Sequence, residues 1–150
     1  MSIYTMTDYK KILCEQQIKL EKALSHLRYT YEKIQKLPDD CSQLNEEELE
    51  TWESFAARFG RASDIFLMRY LRTRILEEDP GFIGTLRDFL LRAEKMNLID
   101  DAKKWLAIRE LRNLSAHEYV EEGLTKFYRL LKKHAPELLS IANLFNEGKS

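Results

Sequence analysis

The chain has 150 residues, 44% of them hydrophobic and 33% charged, with a formal net charge of −1. This length and balance suit one helix-rich domain over residues 1–150, with a core large enough to need neither disulfide nor metal. They exclude a global basic field, so a nucleic acid would have to meet a local basic patch.

No apolar run approaches the roughly 18–20 residues of a membrane span. The amino terminus has no apolar signal core, so a cytoplasmic location is the expectation. Cys14 and Cys41 lack metal-ligand spacing and read as two reduced thiols.

Five glycines and three prolines leave few turns, which predicts long helices. The first predicted helix covers residues 8–37, with Leu13, Leu20, Leu24, Leu27, Tyr31 and Ile34 on one face. Pro38-Asp39-Asp40 ends it. Asn45 can cap a second helix, and Glu46, Glu47 and Glu48 oppose the dipole of its first turn. This helix should continue to about Glu78 through Gly60, which weakens a helix interior by roughly 1 kcal/mol without breaking it.

Asp79-Pro80 is expected to open a third helix burying Phe82, Leu86, Phe89, Leu90 and Ala93, closed by Asn97. Asp100 can cap a fourth. The last predicted helix begins near Glu121, and its apolar period runs straight through Pro136, which predicts a kink or two short coaxial helices. A turn is expected between Tyr119 and Gly123. No strand alternation, repeat or linker appears. The fold class is therefore all-α, an up-and-down bundle of four to five helices.

The second helix carries apolar residues almost all round. Phe55, Phe59 and Phe66 cover one side, and Leu67, Leu71 and Ile75 another. One small bundle is not expected to bury all six, which points to a homodimer. On the same helix Arg58, Arg61, Arg69 and Arg72 fall within about 80° of arc. They form either a rail for an RNA backbone or an amphipathic surface with arginine stems over apolar groups.

The chemistry concentrates in Arg112-Asn113-Leu114-Ser115-Ala116-His117-Glu118-Tyr119. Arginine offers a forked cationic face suited to phosphate, histidine exchanges a proton near neutral pH, and tyrosine brings a hydroxyl. Trp105, Arg109, Arg112, Ala116 and Tyr119 share one sector of an ideal helix, but His117 lies about 140° round from Arg112. Either the helix distorts near Ser115-Ala116, or two chains complete one site between them. The bland reading is capping and surface work. His117 and Glu121 have the spacing of a metal pair but no third ligand, so no metal and no cofactor is expected.

This string resembles the signature of the HEPN superfamily: an Arg, a polar residue, a short spacer and a His. Its extension to His117-Glu118-Tyr119 is similar to the form found in HEPN toxins paired with a minimal nucleotidyltransferase antitoxin. Residues 98–106, which include Trp105, and more loosely Trp52 to Phe59, also resemble that group. The resemblance implies a dimeric helical bundle with two motifs around one cleft, cleaving RNA without metal. It implies that Arg112 holds the scissile phosphate, Asn113 steadies the site and His117 transfers protons. Tyr119 is then the acceptor of an adenylyl group from the partner, and Arg109 extends the RNA contact beside the four arginines of the second helix. The rival implication is a non-catalytic subunit that docks a nucleotidyltransferase and presents substrate to it.

Overall fold

In the computed structural model, which describes residues 6–113 and 121–146, every regular element among the described residues is helical, without strands. The elements are α1 (Met6–Ile34), a short 3-10 helix (Cys41–Gln43), α2 (Glu46–Asp64), a π-helical stretch (Ile65–Tyr70), α3 (Leu71–Glu78), α4 (Leu86–Lys95), α5 (Ala102–Asn113), α6 (Glu121–Leu139) and α7 (Ala142–Asn146). No helix among the described residues is long and apolar enough to cross a membrane.

Local chemistry explains most of the boundaries. Asn45 caps α2 reciprocally: Glu48 N donates to Asn45 Oδ1 at 2.8 Å, and Asn45 N to Glu48 Oε1 at 3.0 Å. The third predicted helix starts later than Pro80. Thr85 and Asp88 form the capping box of α4, and Pro80-Gly81 makes a turn closed by Phe82 N to Asp79 O at 3.0 Å. Phe82 still packs inward, edge-on against Phe89 at 4.7 Å.

Asn97 ends α4 in the left-handed region, φ 60°, with Leu98 N reaching back to Ala93 O at 2.9 Å. Asp101, not Asp100, serves α5: its Oδ1 accepts from Lys103 N at 3.0 Å. Asp100 instead pairs with Lys104, which also reaches Glu137 on α6. Those two carboxylates raise the Lys104 pKa, and Lys104 lowers that of Asp100. Gly123 lies inside α6 rather than in a turn, and α6 runs through Pro136, so the Lys132 carbonyl lacks its helical donor.

The rod formed by α2, the π stretch and α3 is the centre of the bundle. α1 lies along all three parts, α5 and α6 flank α2, and α4 bridges α3 and α5. Tyr31 meets Phe55 and His26 meets Arg58, so α1 runs antiparallel to the rod. Trp105 meets Phe66 and Arg112 meets Gly60, so α5 is antiparallel as well. Trp52 stacks on Tyr128 of α6 at 5.1 Å, and its Nε1 donates to Pro38 O at 3.0 Å. Burial pushes the Tyr128 hydroxyl up to about 12.

The second helix leaves no apolar face over for a dimer. Phe55, Phe59, Phe66, Leu67, Leu71 and Ile75 are all at most 1% exposed within one chain. The π stretch is the physical reason. An i→i+5 turn holds an extra residue, which swings everything after it back by about 100° relative to an uninterrupted α-helix. Leu71 and Ile75 thereby return toward the face used by Phe55 and Phe59.

Candidate functional site

The site lies where the last turns of α5 cross α2. Trp105 fixes the approach: it is buried, and its ring centroid stands 5.0 Å from that of Phe66. One turn on, Arg109 projects toward α2, and Arg112 follows three residues later on the same face. Asp64, the last residue of α2 before the π stretch, receives both. Arg109 Nη1 lies 2.6 Å from Asp64 Oδ1. Arg112 Nε and Nη2 lie 3.2 and 3.1 Å from Asp64 Oδ2.

Gly60, one turn before Asp64, makes room for this crossing. A Cβ there would stand 2.7 Å from both Cδ and Nε of Arg112. The arginine stem therefore lies directly on the α2 backbone. The cluster is accessible: the Arg112, Asp64 and Arg109 side chains are 42%, 34% and 24% exposed. Asn113 is exposed at the end of α5. His117 and Tyr119 lie outside the described residues.

The four arginines of the second helix do not form one rail. Arg58 donates to His26 O of α1 at 2.9 Å and lies over the Tyr29 ring at 5.9 Å. Arg72 covers Phe89 of α4 at 4.6 Å. The π stretch separates the first pair in phase from the second, so Arg58 turns to α1 and Arg72 to α4. Arg61 and Arg69 are exposed. Of the basic residues singled out in the sequence, Arg109 and Arg112 are the two that the structure brings to one partner.

That partner, Asp64, was missed in the sequence. Two signals marked it. It is the sole acidic residue between Glu53 and Glu77, in a stretch otherwise basic and apolar. It also lies four residues after the only glycine of that helix, hence on one face with it.

Two buried polar atoms near this crossing have no hydrogen-bond partner among the described residues: Ser63 Oγ on α2 and Trp105 Nε1 on α5. Among the described residues no group of three or more His, Cys, Asp or Glu side chains is arranged to hold a metal ion. Compared with known proteins, the chain matches no family model, no curated protein and no solved structure.

Proposed function

We propose that the chain is a HEPN-like ribonuclease that cleaves RNA as a homodimer and is held in check by a minimal nucleotidyltransferase. The observation that carries this reading is the paired presentation of Arg109 and Arg112, anchored by Asp64 and Gly60, with Arg112 five residues before His117 in the sequence. Two guanidiniums at one helix end suit a phosphodiester, which accepts a forked pair of hydrogen bonds.

In this reading His117 takes the proton from the RNA 2′-hydroxyl as its oxygen attacks the adjacent phosphorus. Arg112 neutralises the charge that builds on the non-bridging oxygens, with Asn113 steadying the site. The bond to the 5′-oxygen breaks, that oxygen takes up a proton, and a 2′,3′-cyclic phosphate remains. Proton transfer and charge stabilisation suffice for this step. The homodimer rests on the resemblance and on the angular separation of Arg112 and His117, no longer on the second helix. Adenylylation of Tyr119 by the partner would set a charged phosphodiester beside Arg112 and close the site. Intact mass after co-expression reads that modification.

One observation favours the rival. Asp64 already occupies Arg109 and Arg112, as in a site that is structural or that docks a partner. Expression of the chain alone in a bacterial host separates the two readings. The ribonuclease arrests growth, and both Arg112→Ala and co-expression of the nucleotidyltransferase relieve the arrest. Harmless expression of the intact chain, or arrest unchanged by Arg112→Ala, favours the docking subunit.

A further inference from the structure

Asp64 meets its two arginines unequally. Arg109 approaches one carboxylate oxygen at 2.6 Å from a side chain that is 24% exposed. Arg112 directs two nitrogens at the single remaining oxygen, at 3.2 and 3.1 Å, from a side chain that is 42% exposed. The Arg109 contact is short and sheltered. The Arg112 contact is long, open to solvent and lacks the two-oxygen fork in which guanidinium binds best. Gly60 restricts how Arg112 can move. Its stem already lies against the α2 backbone at Gly60, which leaves the solvent side as the open direction for the guanidinium. A phosphodiester arriving there offers Arg112 two oxygens where Asp64 offers one.

We propose that Asp64 is an internal competitor for the phosphate of RNA: it holds Arg112 in the free protein and releases it to the ligand, while Arg109 retains the carboxylate. This rests on the reading of the site as a phosphate-binding one. It gives the three residues distinct duties. Arg112 faces the ligand, Arg109 latches the displaced carboxylate, and Asp64 tunes affinity. Without ligand the cluster carries one net positive charge. With Asp64 neutralised it carries two.

The experiment is fluorescence anisotropy with a labelled, single-stranded 2′-O-methyl oligouridine, which has no free 2′-hydroxyl and cannot be cleaved by the proposed route. Asp64→Asn should bind about three- to tenfold more tightly than the parent, the range for freeing two partly exposed ion pairs. Its salt dependence should steepen by about 0.7 in log–log slope, for one further phosphate neutralised on a single strand. Asp64→Asn combined with Arg112→Gln should lose the gain. If circular dichroism shows Asp64→Asn unfolded, Asp64→Ser takes its place.

Weaker binding by the neutral variant overturns the proposal, because Asp64 then positions the arginines. Equal binding, or none by any form, overturns it too. Cleavage of unmodified oligouridine is measured in parallel. Tighter binding without cleavage rejects the ribonuclease and keeps the competitor; cleavage with weaker binding does the reverse.

Discussion

Gly60 and Arg112 occupy adjoining space that a single methyl group would contest: a Cβ on Gly60 would come within 2.7 Å of Arg112 Cδ and Nε. A residue that looks like a helix defect in the sequence is a seat for the arginine of the candidate site.

Gly60→Ala therefore separates stability from function. Alanine favours a helix interior by about 0.8–1.0 kcal/mol over glycine. Arg112 is a flexible side chain and can yield, so the melting temperature should be unchanged or higher. Displacing its guanidinium should lower RNA cleavage by about 10–10²-fold. Calorimetry and a cleavage assay on one preparation check both. A stable variant with full activity shows that the seat is not needed.

The two tryptophans should answer differently to phenylalanine. Trp52 Nε1 donates to Pro38 O, whereas Trp105 Nε1 has no partner among the described residues. Both rings are buried and lose the same volume. Trp52→Phe also strands a carbonyl, so it should lower the unfolding free energy by about 1–2 kcal/mol more than Trp105→Phe. Urea titrations give the difference. An equal or reversed order contradicts the assignment.

His134 links the bundle to pH. Burial lowers its pKa below 6.5, the Lys133 charge adds to this, and Glu137 opposes it. The folded state thus favours neutral His134, and the unfolded chain binds the proton first as pH falls. The contribution is fully present above about 6.5 and is lost as pH drops through the lower folded value. His134→Gln should flatten the decline of melting temperature between about pH 7 and about pH 5. A variant as pH-sensitive as the parent removes His134 as the cause.

The proposed dimer should appear in light scattering at micromolar concentration as twice the 17.8 kDa chain mass. It should persist in variants of Arg58 and Arg72, whose side chains are engaged within the same chain. A monomer at that concentration contradicts the two-chain site.

Much of the fold was legible because short-range physics set it. The Asn45 cap, the left-handed stop at Asn97 and the buried stripe of Leu20, Leu24, Leu27 and Ile34 all follow from local sequence. The π stretch was not read, although its signal is present. Phe59, Ser63, Leu67, Leu71 and Ile75 recur at strict steps of four and are all buried. A period of four is longer than 3.6 and requires an underwound helix. Treated as an uninterrupted α-helix, the same residues give a second apolar face and a single arc of four arginines. In the candidate site, Arg109 and Arg112 could be read from their spacing. Asp64 could not, because its pairing depends on where two distant helices cross.

Metal-independent RNA cleavage by this chain is read by incubating it, purified, with single-stranded RNA in excess chelator and identifying the product ends by mass spectrometry. A HEPN-like ribonuclease leaves 2′,3′-cyclic phosphates or their hydrolysis products, with rates lowered about 10²–10⁴-fold by His117→Ala and comparably by Arg112→Ala. Products with other ends, or cleavage at the parent rate by both variants, would contradict it.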